Sequence, residues 1–301
     1  MLLTDSHIEN VLNGLDVDSK PAAAFRSALE SPHFSGCFDS ETEVSAGSLL
    51  PLAAAFSVHP ISGFAVGAVA TGASGKRYLG ANMEFEGMPL NASLHAEQSA
   101  LLNAWMHEEH AVVALAVSEV PCGHCRQFLR ELSNFSTLKL EVKGHAQAPD
   151  ELLPHAFGKV PLAGHGLLDS RPTTLEAVRP EPDTSQQRAI NAAQRSYVPY
   201  SRAPEGCVLD CLNGRFFTGR AAESIAFNPS VPGVLVALNQ RNLSASRQVS
   251  ITRATQAKLA TAVNSPLAFA RALIHSVSNV EVQTVQMDAT GTLNTPASRY
   301  S

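Results

Sequence analysis

Residues 91–132 read NASLHAEQSALLNAWMHEEHAVVALAVSEVPCGHCRQFLREL. Within them Leu94, Ala100, Leu101, Ala104 and Trp105 recur at helical spacing, which predicts a helix over 93–109. Ala111–Val117 is a continuous apolar run without polar alternation, the pattern of a strand covered on both faces. Cys122–Leu132 reads as a second helix. Upstream, Phe64–Ala70 and Arg77–Ala81 flank a glycine turn over 72–75 and predict a hairpin. Downstream, Leu138–Val142 reads as another strand. The order strand, strand, helix, strand, helix, strand implies an α/β fold, a sheet sandwiched between helices in three layers, α/β/α.

Further out, residues 1–48 read as an irregular helical lead-in, most helix-like over 22–29 and broken at Ser31-Pro32. A helix is expected over 49–57. Residues 144–183 carry prolines at 149, 154, 161, 172, 180 and 182, and the part over 151–183 reads as a linker. The second half then repeats the first. Pro60, Ser62, Gly67, Gly75, Lys76, Tyr78, Gly80 and Glu84 recur 139 positions later as Pro199, Ser201, Gly206, Gly214, Arg215, Phe217, Gly219 and Glu223. A weaker block, PCGHCRQFL (121–129) against PLAFARALI (266–274), lies at an offset of 145. The chain therefore divides into a lead-in (1–48), a first domain (49–150), a linker (151–183) and a second, duplicated domain (184–301).

The chemistry sits in the first copy. His95-Ala96-Glu97 is followed by Pro121-Cys122-Gly123-His124-Cys125. This H-x-E…P-C-x-x-C pattern is already known as a signature of zinc deaminases. Cys122 and Cys125 stand three apart at a helix start, so both sulfurs point one way, and unpaired N–H groups there favour thiolate. Three protein ligands leave a tetrahedral zinc one open position, as catalytic sites do and closed structural sites do not. Water held there is acidified towards neutral pH. Glu97 is placed to take that water's proton as a general acid/base without ligating the metal. At an offset of 139 the His-Ala-Glu triplet falls on Val234-Leu235-Val236; at 145 the cysteines fall on Leu267 and Ala270. The second copy is thus expected to be degenerate, leaving one Zn2+ per chain.

With these motifs the chain resembles the two-domain, homodimeric cytidine deaminases of bacteria and plants. The likeness runs over about 49–230 and includes PISGFAVGA (60–68), GANMEF (80–85), LPHAFG (153–158) and AFNPS (226–230). It implies a duplicated cytidine deaminase-like fold and hydrolytic deamination of cytidine and 2′-deoxycytidine, a step of pyrimidine salvage. It implies that Asn82 and Glu84 bind the ribose hydroxyls, that Phe64 packs on the pyrimidine, and that backbone groups of Ala96 meet the base. It also implies that Phe157 closes over the site of the opposite subunit. Read without the resemblance, Phe64 is a core residue, Asn82 a turn residue, Phe157 a surface plug, and Glu84, repeated as Glu223, a structural carboxylate.

Composition narrows the rivals. Lys and Arg number 22 against 27 Asp and Glu, a net charge of −5 with no basic cluster. A deaminase of bases within RNA or DNA would need a basic channel, so no nucleic-acid polymer is expected as partner. No uninterrupted apolar run approaches membrane-span length, and MLLTDSHIEN (1–10) is acidic, so neither a membrane partner nor a secretory leader is expected. The odd count of five cysteines fits a reducing cytoplasm rather than a disulfide framework. HEEH (107–110) is one residue too short for a metalloprotease motif and reads as a solvated helix end. Cys207 and Cys211 sit too far apart along a strand for a common ion. His124, between the two ligand cysteines, is expected to face away.

Overall fold

In a computed structural model, the structure describes residues 13, 20–31, 33–40, 44–179 and 181–289. The elements are α1 (Lys20–Glu30), β1 (Cys37–Phe38), α2 (Ala46–Ala55), β2 (Gly67–Gly72), β3 (Arg77–Ala81), α3 (Ala96–Met106), β4 (Val112–Val117) and α4 (Gly123–Leu129). They continue with β5 (Lys139–Val142), β6 (His145–Gln147), α5 (Pro149–Leu152), β7 (Leu175–Ala177), α6 (Thr184–Gln194), β8 (Glu205–Cys211) and β9 (Phe216–Arg220). The last are α7 (Gly233–Leu243), β10 (Ile251–Leu259), α8 (Leu267–Val277) and β11 (Val282–Ala289).

Two mixed sheets form, in the orders β1-β3-β2-β4-β5-β6 and β7-β11-β10-β8-β9. In each, the hairpin is antiparallel (β2/β3, β8/β9) and one pair is parallel (β4/β5, β10/β11). Period-two alternation makes the first sheet two-faced. Val69, Leu79 and Ala81 join Leu49, Leu52 and Phe56 in one apolar cluster. Ala68, Ala70 and Tyr78 point the other way, towards Leu101, Leu102 and Trp105. The three-layer, duplicated α/β reading holds.

The repeated glycines have a packing reason. A Cβ on Gly80 would stand 2.4 Å from Ala96 O and 2.2 Å from Ala100 N; one on Gly219 would stand 2.0 Å from Gly233 O and 2.3 Å from Ala237 N. Only a bare backbone lets α3 and α7 press onto their hairpins this closely. These contacts also correct the internal alignment. Leu94 bridges Met83 eleven positions on, whereas Val231 bridges Ala222 only nine positions on. The second copy has a loop two residues shorter, so Pro232-Gly233-Val234, not Val234-Leu235-Val236, stands where His95-Ala96-Glu97 does. The later block keeps its offset of 145: Cys125, Phe128 and Leu129 are buried on α4 as Ala270, Leu273 and Ile274 are on α8, so the cysteines fall on Leu267 and Ala270.

Other expectations shift at their edges. The apolar run from Phe64 enters the ladder only at Gly67. Val113 is 41% exposed, so β4 is covered on both faces only over Leu115–Val117. In the segment read as lead-in, Cys37 and Phe38 pair with Tyr78 and Arg77. In the segment read as linker, Leu175–Ala177 pairs with β11. The end of α3 is not simply solvated: Glu109 is buried and accepts from Tyr78 Oη at 3.0 Å and from Ser74 Oγ, and His107 bonds Ser35 Oγ at 2.7 Å. Among the described residues no helix is long and apolar enough to cross a membrane.

Candidate metal centre and nucleoside pocket

Two helix starts converge on one point. His95 is the N-cap of α3 and Cys122 the N-cap of α4, both with extended backbone (φ −87° and −72°). Neither side chain caps its own helix, so both are free to turn towards a common centre. Cys125 follows one turn into α4 and is fully buried. Cys122 Sγ lies 3.4 Å from His95 Nδ1 and 3.7 Å from Cys125 Sγ; Cys125 Sγ lies 3.3 Å from His95 Nδ1.

A tetrahedral zinc, with Zn–S about 2.3 Å and Zn–N about 2.0–2.1 Å, needs S···S near 3.8 Å and S···N near 3.6 Å. The three donor atoms meet that triangle within about 0.3 Å, and they are the metal-competent His/Cys/Cys group among the described residues. Cys207 and Cys211 are buried on β8 and join no such group.

The donor set is also electrostatically prepared. The hydrogen bond with Cys125 and then that with His95 hold the Cys122 thiol down at about 3. The same Cys122 contact pushes His95 up. Glu97 is 5% exposed in the first turn of α3, and burial pushes its carboxyl up, above the usual carboxylate range. A raised carboxyl pKa near a reacting water is what a proton carrier requires.

His95, Glu97 and Cys122 line a cavity of about 340 Å³ whose wall also includes Phe64, Asn82, Glu84 and Ala96. Leu90 and Val120 also line it; both are exposed apolar residues that periodicity did not single out. Phe64 is 54% exposed at this wall, so it is not the core residue its apolar run suggests. Phe157 is not part of the cavity wall in its own chain. It is 55% exposed, and its carbonyl accepts from Gln127 Nε2 at 2.8 Å.

Asn82 and Glu84 hold the Phe64 loop. Asn82 Oδ1 accepts from Ser57 Oγ at 2.5 Å and Val66 N at 2.8 Å, while Nδ2 donates to Phe64 O at 3.0 Å. Both lone pairs of the amide oxygen are used, and one N–H remains. Glu84 accepts from the backbone N–H groups of Ile61 and Ser62, each at 2.9 Å, and from Ser62 Oγ. Burial pushes its carboxyl up, but these donors outweigh it and hold it below the usual range. Glu223 repeats the turn-holding role, accepting from Tyr200 N at 2.9 Å and Ser201 N at 3.1 Å. The brace through Ser57, which also meets His59 Nδ1 at 2.8 Å, links residues 25 apart and left no local signal.

His124 corrects an expectation. Its ring does not face away but stacks on His95, centroids 5.2 Å apart at 24°. Helical spacing describes residues within a turn, whereas His124 belongs to the first turn after a cap and meets a different helix.

Fold and centre together define a class: a duplicated α/β zinc protein in which, among the described residues, one copy carries a His/Cys/Cys group able to hold the metal, with a buried carboxyl two residues from its His. Two family models described as "Cytidine and deoxycytidylate deaminase zinc-binding region" match residues 45–138 and 150–271. Proteins named cytidine deaminase from Yersinia pestis (strain Pestoides F) and Yersinia pseudotuberculosis serotype O:1b are each 43% identical over 219 residues, covering 72% of this chain and 74% of theirs. The chain belongs to the cytidine and deoxycytidylate deaminase family and is a zinc-dependent hydrolase. Among solved structures, cytidine deaminase from Mycobacterium tuberculosis aligns at 33% identity over 35% of this chain and 89% of that one, TM-score 0.33. Cytidine deaminase from Burkholderia pseudomallei aligns at 28% identity over 38% and 100%, TM-score 0.34.

Proposed function

We propose that the chain deaminates cytidine and 2′-deoxycytidine by hydrolysis, releasing ammonia, as a pyrimidine salvage enzyme of the cytoplasm. One observation carries the reading: the His95, Cys122 and Cys125 triangle opens, beside buried Glu97, into a nucleoside-sized cavity. Among the described residues the cavity wall contains no Lys or Arg, which favours a nucleoside over a nucleotide whose phosphate would need a cation. We take residues 49–150 as the catalytic domain and 184–301 as its non-catalytic copy, because Pro232, Leu267 and Ala270, which stand where His95, Cys122 and Cys125 do, cannot ligate zinc.

Zinc held by the three ligands supplies a Lewis acid that makes water nucleophilic near neutral pH. Glu97, ionised, accepts the water proton and delivers it to ring nitrogen N3, which makes C4 electrophilic. The same carboxyl then passes the hydroxyl proton to the departing amine. The spare N–H of Asn82 and the remaining lone pair of Glu84 face the sugar hydroxyls. Phe64 packs on the ring, and backbone groups of Ala96, at the start of α3, meet the base. Phe157 completes the site from the second subunit of a homodimer.

The test is the loss of cytidine absorbance on adding purified, zinc-loaded protein. Glu97→Gln should keep zinc and fold but lose more than about 10²–10⁴-fold in turnover, since one group handles several transfers. No turnover by the parent would overturn the reading; a variant within tenfold of the parent would remove Glu97 from it.

A further inference from the structure

The helix that carries both sulfurs has a second anchor, at its far end. Glu131 lies two residues beyond α4 and is fully buried. Its carboxylate accepts from Tyr197 Oη at 2.8 Å, Tyr200 Oη at 2.8 Å and Ile225 N at 2.9 Å. All three donors come from the second half of the chain. Its backbone N–H donates to Phe128 O at 3.0 Å, in the last turn of α4, and its carbonyl accepts from Leu167 N at 2.8 Å.

The donors are themselves fixed. Tyr197 is buried, and its backbone N–H donates to Ala221 O at 2.8 Å. Tyr200 donates its N–H to Glu223. Ile225 is buried against the 158 loop. A buried carboxylate is costly unless several donors converge on it, and once they do it is hard to displace. The degenerate copy has lost its metal ligands, yet the turn matching the first copy's Val58–Ser62 supplies two of these donors.

We infer that Glu131 is a positioning residue for the metal centre: through it the non-catalytic half sets the placement of α4, and hence of Cys122 and Cys125. This rests on their reading as zinc ligands. α4 has only seven residues, so little helix separates the clamp from the sulfurs. Ligand placement within fractions of an ångström governs how firmly a metal is held. A carboxylate that only joined the two halves would affect stability but not zinc retention by the folded chain.

The experiment follows zinc release from the zinc-loaded full chain into excess chelator, with a zinc-sensitive dye, well below each protein's unfolding range. Glu131→Gln should release zinc about 3- to 10-fold faster, somewhat less than removal of a direct ligand partner typically causes. Tyr197→Phe and Tyr200→Phe keep the rings, each remove one donor, and should fall between. They also decide the matter if Glu131→Gln does not fold. Val285→Ala trims a separate apolar cluster of the second half; it should lower Tm yet release zinc at the parent's rate. Parent-like release from all three clamp variants overturns the inference, as does equal acceleration by Val285→Ala. A parent that binds no zinc would instead defeat the ligand assignment beneath it, and the inference with it.

Discussion

At the scale of single residues, Asn82 holds the loop at the cavity wall, and we propose that it also reaches the sugar. Its oxygen is saturated by Ser57 and Val66, one N–H fixes Phe64 O, and the other is spare. Asn82→Ala therefore removes the proposed sugar contact and also leaves Val66 N and Phe64 O unpaired. At about 1–3 kcal/mol for such losses, kcat/KM for cytidine should fall roughly 10- to 100-fold, with zinc content unchanged. The loss should be larger for the nucleoside than for residual action on free cytosine. Equal loss on both would assign Asn82 to the loop alone. The metal centre was legible here because its ligands are chemically rare and closely spaced: His95, Cys122 and Cys125 need no tertiary information to be singled out. The wall was less so. Leu90 and Val120 are ordinary apolar residues by sequence, and the stacking of His124 on His95 joins two helices that no periodicity connects.

At the scale of elements, the second copy shows what replaced the chemistry. Glu205, on β8, stands 139 positions after Val66, and its Oε1 accepts from Gly233 N at 2.8 Å, the start of α7. Gly233 occupies the place of Ala96, so in the second copy a carboxyl sits against the amide that corresponds to that of a cavity-lining residue. Burial pushes Glu205 up to about 7, well above its ordinary 4.5. A carboxyl raised on folding gives stability that is fully present below about 4.5 and lost as pH rises through about 7. The shift corresponds to a contribution of order 3 kcal/mol. Glu205→Gln keeps the shape and cannot ionise, so its Tm relative to the parent should rise between pH 5 and pH 8. A gap of equal size at both pH values would mean that Glu205 does not change its protonation. Sequence comparison found the duplicated hairpin because glycines at 67, 80, 206 and 219 leave a fixed imprint where helices press on strands. It misaligned α7, the helix after it, because a two-residue loop difference carries no such mark.

At the scale of the whole molecule, the two copies lean on each other through α3 and α7: Ser99 Oγ donates to Asn239 Oδ1 at 2.6 Å, and Gln240 Nε2 to Asn103 Oδ1 at 3.3 Å. That packing leaves large aromatic side chains facing outward. Phe64 is 54%, Phe157 55% and Phe227 64% exposed, and Phe64 also lines the cavity. We propose that in a homodimer Phe157 of one subunit covers the cavity of the other. The reading is supported by its absence from the cavity wall of its own chain and by the LPHAFG segment that carries it. An aromatic ring against a pyrimidine contributes about 0.5–1.5 kcal/mol beyond burial, and closing the cavity excludes water. Phe157→Ala should therefore lower turnover while zinc stays bound. Mixing decides between the two geometries. Glu97→Gln and Phe157→Ala chains are unfolded and refolded together with zinc, and cytidine turnover is compared with each variant refolded alone. If Phe157 acts across the interface, a mixed dimer has one intact site, with Glu97 from one chain and Phe157 from its partner. Activity then rises above the weighted mean of the two variants. If Phe157 serves its own chain, every site in the mixture lacks one of the two groups and activity stays at the weighted mean. That outcome would end the shared-site proposal while leaving Glu97 and the metal centre as they stand.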